Sequence, residues 1–80
     1  MRPRVAAGEE NVVKLSARNQ LRGTVTAIKE GAVEAQVSLD VGGQKITAVV
    51  TMDAVADLGL AVGSEAVAVI KADHVILAVD

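Results

Sequence analysis

The strongest fold signal in this 80-residue chain lies in residues 33–52, VEAQVSLDVGGQKITAVVTM. Apolar residues occupy every second position from Val33 to Val41, with polar residues between them. This period of two is typical of a strand with one buried face. The pair Gly42-Gly43 predicts a hairpin turn, because glycine accepts the positive φ angles that such turns need. Residues 44–52 then predict the returning strand.

Further elements are predicted on both sides of this hairpin. Upstream, residues 21–30 predict a strand in which Gly23 marks a bulge or a close backbone approach. Downstream, Asp53 suits the N-cap of a short helix over residues 54–58, and Gly59 suits the position that ends it. Residues 65–71 and 75–79 predict the fourth and fifth strands.

This order of elements predicts the fold class and the domain organisation. An all-β chain with five short strands, and one short helix between strands 3 and 4, matches an OB-like Greek-key barrel. We expect a single domain over residues 14–80. Residues 1–13 show no sustained period and predict a flexible leader, either a tag or the remnant of a linker.

The composition predicts that the domain needs a partner. The chain has no aromatic residue and no cysteine, yet 51% of its residues are apolar. A domain this small has a thin core, and without disulfides the remaining source of stability is burial between subunits. We therefore expect a homo-oligomer.

Several classes of function find little support in the residues. One histidine, no cysteine and scattered carboxylates offer neither a catalytic pair nor a set of metal ligands. Gly42-Gly43 lacks the Lys-Ser/Thr segment of a phosphate-binding loop. Because of the missing catalytic groups, we expect that the protein is not an enzyme. No apolar run is long enough for a membrane span or a signal peptide, so we expect it to be cytoplasmic.

Nucleic-acid binding is the next alternative, because OB-like barrels often bind single strands. They do so with aromatic stacking platforms along a basic groove, and this chain has no aromatic residue. The basic residues are concentrated in the first 22 positions, and a small excess of positive charge there is weak evidence of nucleic-acid binding. We expect no nucleic-acid partner.

What remains is a set of hydrogen-bond donors near both ends of the domain. A tetrahedral dianion requires donors and positive charge without a neighbouring carboxylate, and small residues let the backbone approach it closely. The residues alone leave a second interpretation open. Ser16 to Gln20 would then be only the polar start of a strand, and Lys71 a surface charge at the end of another strand. The donor side chains are those of Ser16, Arg18, Asn19, Gln20, Thr51 and Lys71, and the backbone donors lie near Ala17 and Ala72.

Several separated segments resemble the Mop (TOBE-type) molybdate-binding domains, or molbindins. They are residues 16–20 (SARNQ) with Gly23, 31–33 (GAV), 48–51 (AVVT), 58–60 (LGL) with 62–63 (VG), and 69–72 (VIKA) leading to Val75. The resemblance implies a small cytoplasmic OB-like barrel that assembles as a hexamer, a trimer of dimers. It also implies that molybdate or tungstate is bound at the subunit interfaces, with no organic cofactor.

The resemblance further implies which residues contact the oxyanion. Ser16, Ala17 and Arg18 would come from one subunit, and Thr51, Lys71 and the backbone of Ala72 from its neighbour. Family members often carry serine where this chain has Ala54, and a serine rather than Asp73 after the alanine. We expect Asp73 to face solvent. Asn19, Gln20, Ala54 and His74 are weaker candidates. Asn19 and His74 would belong to a second class of site on the threefold axis.

The implied function is storage and homeostasis of molybdate or tungstate inside the cell. The alternative is an accessory oligomerisation or sensor module from a molybdate-responsive regulator or a transporter ATPase. The residues do not distinguish molybdate from tungstate, or storage from delivery or sensing.

Overall fold

The computed structural model describes residues 14–80, so the predicted leader, residues 1–13, lies outside the described part of the chain. In chain order the described residues form β1 (Asn19–Glu30), β2 (Glu34–Val41), β3 (Gln44–Thr51), α1 (Met52–Leu58), β4 (Glu65–Ile70) and a 3₁₀ turn (Ala72–His74). The four strands make one antiparallel sheet in the order β3-β2-β1-β4, which curls into a half-barrel. A mostly β architecture with a short helix after the third strand is therefore confirmed.

The predicted fifth strand is wrong for the isolated chain. Residues 75–79 join no strand pairing within residues 14–80, and the side chains of Ile76, Leu77 and Val79 are 92%, 88% and 97% exposed. A strand exists only where its backbone finds a ladder partner, and apolar composition alone does not supply one. The barrel consequently remains open on one side.

The central hairpin forms as predicted. Strands β2 and β3 pair from Glu34 opposite Thr51 to Val41 opposite Gln44. Gly42 and Gly43 have φ angles of 57° and 91°, which are the positive values that the tight turn requires. The inward positions of β2 are buried, as the alternation indicated.

Strand β1 is long because it pairs with two neighbours in succession. Its first half, from Asn19 to Thr24, pairs with β4, and its second half pairs with β2. A Cβ atom at Gly23 would lie 2.5 Å from the backbone oxygen of Asp40, so glycine permits the close approach that the sequence suggested. A register shift between Val25 and Ala27 adds a bulge two residues later. Close approach and bulge together bend the sheet around the core.

The core lies inside this bend. Val25 is 1% exposed and packs with Val37 and Leu39, which come from β2. Partly buried side chains from every strand, and from the loop after the helix, surround these three residues: Ile28, Val41, Ile46, Val50, Leu60, Ala66 and Ala68.

The helix begins earlier than predicted. Thr51, not Asp53, is the N-cap, because its backbone is extended (φ −72°, ψ 155°) and its hydroxyl accepts from the N–H of Ala54. Asp53 lies in the first turn. The predicted end is confirmed: Gly59 is left-handed (φ 63°), and the N–H of Leu60 donates to Val55, as in a Schellman motif. No helix in the described region is long and apolar enough to cross a membrane.

Candidate functional site

Several of the predicted site residues converge at the start of β1. The side-chain amide of Asn19 donates to the backbone oxygen of Ile70 at 3.2 Å, and that of Gln20 donates to the backbone oxygen of Ala17, also at 3.2 Å. Ala17 is 7% exposed, whereas Arg18 is exposed. Asn19 therefore joins β1 to the end of β4, and Gln20 fixes the segment that precedes the strand.

The 3₁₀ turn after β4 lies at the same end of the sheet. Lys71 precedes this turn with an extended backbone (φ −62°, ψ 143°), and its carbonyl accepts from the N–H of His74 at 3.0 Å. The first N–H groups of such a turn, those of Ala72 and Asp73, have no acceptor within the turn itself. These two backbone donors directly follow Lys71 in the chain.

These two segments form one cluster, which we call the β1–β4 end. It is defined by residues 16–20 and 71–74. Because Asn19 is the register partner of Ile70, Arg18 and Lys71 extend from adjacent strand ends. Two cations, hydroxyl and amide groups and backbone N–H groups thus share one end of the sheet, and all its charged side chains are exposed. Such a set suits an anion with several oxygen atoms.

Asp73 adds a feature that the sequence did not indicate. Its side chain is 69% exposed, in agreement with the expectation that it faces solvent, but Oδ2 lies 4.0 Å from Nζ of Lys71. A pair this exposed contributes little to stability. It does place a carboxylate beside one of the two cations that would attract an anion. The spacing of two residues from Lys71 was visible in the sequence, but the turn that brings the charges together was not.

Thr51 and Ala54 lie elsewhere in the fold. Thr51 pairs with Glu34 at the end of the sheet where β1 finishes, whereas the β1–β4 end lies where β1 begins. The Thr51 hydroxyl accepts from the N–H of Ala54 at 3.0 Å and keeps its own proton free to donate. Ala54 has no side-chain donor, and its N–H is occupied by this cap. We call Thr51 and the first turn of α1 the helix-cap end.

Two structural contributions were missed by the sequence reasoning. Asn19 and Gln20 each donate one side-chain N–H to a backbone oxygen of the protein, and these bonds hold the β1–β4 end together. Each amide keeps a second N–H that can donate to a ligand. No sequence pattern indicates the bond from Asn19, because its acceptor is 51 positions away, whereas the bond from Gln20 is local, to a residue three positions earlier.

Residues 14–80 contain no group of three or more His, Cys, Asp or Glu side chains that could hold a metal ion. The donors at the β1–β4 end are suited to oxygen atoms of an anion, not to a bare cation.

Comparison with known proteins agrees with this chemistry. Residues 15–77 match the TOBE domain family. The molybdenum-pterin-binding protein 3 of Clostridium pasteurianum is 46% identical over 66 residues, which cover 81% of this chain and 97% of that protein.

Two solved structures share the fold. A molybdate-binding protein from Sporomusa ovata superposes with a TM-score of 0.79 at 38% identity, covering 82% of this chain and 98% of the other. The cytoplasmic molybdate-binding protein ModG, solved with molybdate bound, superposes with a TM-score of 0.73 at 57% identity. That match covers 75% of this chain but 43% of ModG, so the domain also occurs within a longer protein.

These relatives are binding proteins of a non-enzymatic family. The match over nearly all the described residues, together with 46% identity to a relative covered over 97% of its length, places this chain in the TOBE domain family, with the molybdenum-pterin-binding proteins known as Mop proteins or molbindins.

Proposed function

We propose that this protein binds molybdate or tungstate reversibly, at sites formed between subunits, and thereby stores and buffers the oxyanion in the cytoplasm. The observation that carries the proposal is the β1–β4 end, where Arg18 and Lys71 meet hydroxyl, amide and backbone donors. Two cations match the charge of a dianion. The oxygen atoms of the dianion would accept hydrogen bonds from side chains and from the backbone. These donors are Ser16, the amides of Asn19 and Gln20, and the N–H groups near Ala17 and Ala72.

The separation of the two candidate regions supports a site that more than one subunit completes. Thr51 lies at the helix-cap end of its own chain, far along the sheet from Lys71 in strand register. In the proposed site, a neighbouring subunit supplies the Thr51 hydroxyl to the anion held at the β1–β4 end. Lys71 then comes from the same subunit as Arg18, and not from the subunit of Thr51 as the resemblance implied. A hexamer built as a trimer of dimers would repeat this arrangement at equivalent interfaces.

Selectivity would follow from the balance of donors and acceptors. Molybdate and tungstate are fully deprotonated at neutral pH, whereas phosphate keeps a proton that needs an acceptor. Asp73 is the one carboxylate within the β1–β4 end, and it lies beside Lys71. His74 would remain a weaker contact at the edge of the site, and Ala54 would contribute no side-chain donor.

The test is calorimetric titration of the full chain with molybdate, repeated in excess sulfate and in excess phosphate. Lys71→Ala should weaken molybdate binding by about tenfold or more, because a hydrogen bond to a charged group contributes about 1.5–3 kcal/mol. Lys45→Ala is the matched control, since Lys45 is an exposed lysine on β3, outside both candidate regions. Equal affinity of Lys71→Ala and the parent would disprove the site.

A second function is supported by one observation. The match to ModG covers 43% of that protein, so this kind of domain also works as part of a longer chain. In that case it would act as an oligomerisation or sensor module of a molybdate-responsive regulator or transporter. Expression of the gene's complete product distinguishes the two, because a storage protein binds and releases molybdate without altering any attached activity.

A further inference from the structure

The β1–β4 end combines many hydrogen-bond donors with one carboxylate. The side chains of Arg18 and Lys71 can only donate, and so can the first backbone N–H groups of the 3₁₀ turn. An ionised carboxylate can only accept, and Asp73 carries the one carboxylate among residues 16–20 and 71–74. Hydroxyl and amide oxygens can accept as well, but a hydrogen bond to a charged acceptor is about twice as strong. A ligand at this end therefore meets cations and, beside them, one strong acceptor.

The gap between Lys71 and Asp73 has the size of one ligand atom. Nζ of Lys71 and Oδ2 of Asp73 are 4.0 Å apart, which is too far for a direct hydrogen bond. A ligand oxygen about 2.8 Å from Nζ and about 2.7 Å from Oδ2 completes a triangle with this side. A hydroxyl group can make both bonds, because its oxygen accepts through a lone pair and donates through its proton. The two charges are thus spaced to bind an O–H group between them.

The 3₁₀ turn sets this spacing and leaves both charges accessible. The carbonyl of Lys71 accepts from the N–H of His74, and that of Ala72 accepts from the N–H of Val75. These bonds hold the backbone on both sides of Asp73. The side chains of Lys71 and Asp73 are 61% and 69% exposed, so a ligand can reach both charges from solvent.

A proton divides the tetrahedral oxyanions into two classes at neutral pH. Molybdate, tungstate and sulfate carry none, so their oxygen atoms can only accept hydrogen bonds. Phosphate and arsenate keep at least one proton and present an O–H group. Beside Asp73, an anion without a proton places a negative oxygen against a negative carboxylate, whereas an anion with a proton donates to it. The Asp73 carboxylate therefore favours the second class.

We propose that Asp73 widens the anion specificity of the β1–β4 end to tetrahedral oxyanions that keep a proton, of which inorganic phosphate is the simplest. Lys71 donates to the hydroxyl oxygen of the ligand, and Asp73 accepts the proton of that oxygen. Arg18 and the backbone N–H groups of the 3₁₀ turn bind the other oxygen atoms. The place of the site rests on the proposed function. The discrimination between anions rests on the pair of Lys71 and Asp73.

Calorimetric titration with two anions of equal charge isolates the effect of the proton. In mildly alkaline buffer phosphate is mainly a dianion with one proton, and sulfate is a dianion with none. The full chain should bind phosphate more tightly than sulfate. Asp73→Asn should weaken phosphate binding about tenfold, because a hydrogen bond to a charged acceptor is lost. It should strengthen sulfate binding, because a repelling charge is removed.

The opposite signs of these two changes distinguish an acceptor from a general effect of charge. Loss of one negative charge by itself would strengthen the binding of both anions. Asp57→Asn is the matched control, because Asp57 is exposed on α1 and the change in net charge is the same. This control should leave the ratio of phosphate to sulfate affinity unchanged. The proposal is wrong if the parent does not prefer phosphate, if Asp73→Asn strengthens the binding of both anions, or if Asp57→Asn weakens phosphate binding equally.

Titration of the same preparations with molybdate separates this proposal from the proposed function. Molybdate binding without phosphate binding would overturn the role of Asp73 and leave molybdate storage standing. Phosphate binding that depends on Asp73, without molybdate binding, would support the role of Asp73 and disprove molybdate storage. If neither anion binds, both proposals fail.

Discussion

Strands on both sides of this half-barrel carry alternating apolar residues, but these residues are buried to different extents. On the closed side, β1 and β2 bury Val25, Val37 and Leu39 to 5% exposure or less. On the open side, the inward-facing apolar residues of β3 and β4 remain half-buried, and residues 75–79 are exposed. Apolar alternation predicts which residues need cover, but the topology decides whether one chain can provide it.

The largest expected effect lies on the closed side. Leu39→Ala removes a buried side chain from the core and should lower the free energy of unfolding by about 2–5 kcal/mol, because the cavity cannot collapse fully. Urea unfolding followed by circular dichroism measures the change. Val33→Ala, at a position 71% exposed, should stay within about 0.5 kcal/mol of the parent. Similar costs for both variants would contradict the burial difference between the two positions.

The thermal stability that depends on the open side should change with protein concentration. If a second copy covers the exposed apolar side chains of residues 75–79, association stabilises the fold by mass action, and the thermal midpoint of the parent should rise by a few degrees for each tenfold increase in protein concentration. Leu77→Asp should remove that dependence. Differential scanning calorimetry over a hundredfold range of concentration measures it. A parent midpoint that stays constant over that range would place the stabilising contacts within one chain.

The same contrast explains how much of the fold was predictable. The hairpin around Gly42-Gly43, the bend near Gly23 and the helix end at Gly59 depend on neighbours close in sequence or on glycine geometry, and the sequence predicted all three. The fifth strand failed because its pairing partner is not a local property of residues 75–79. The helix start failed by two residues, because Thr51 and Asp53 are both good N-caps and backbone geometry chose between them.

The candidate site divides in a similar way. The chemistry of Arg18 and Lys71 could be inferred from residue types, and their shared position follows from the pairing of β1 with β4. The bond from Asn19 to Ile70 and the pairing of Asp73 with Lys71 depend on a register and a turn that composition does not specify.

A smaller effect distinguishes the helix-cap end from the β1–β4 end. Thr51→Val removes the hydroxyl that accepts from the N–H of Ala54 and should cost about 1 kcal/mol of stability. In the proposed site it should also weaken molybdate binding. Thr51→Ser keeps the hydroxyl and should retain most of both properties. Urea unfolding and calorimetric titration of the same preparations separate the two roles: lost stability with unchanged affinity would confine Thr51 to capping.

The smallest expected effect concerns the carboxylate within the β1–β4 end. Asp73→Asn removes a negative charge 4.0 Å from Nζ of Lys71, in a pair that solvent largely screens. Molybdate affinity should rise about two- to fivefold at low salt, and the gain should shrink as ionic strength increases. Asp57→Asn, on the exposed face of α1, makes the same change in net charge away from the site. Equal gains from both variants would show that net charge, not the position of Asp73, sets the affinity. If only Asp73→Asn raises molybdate affinity, the Asp73 carboxylate and the anion compete for the charge of Lys71.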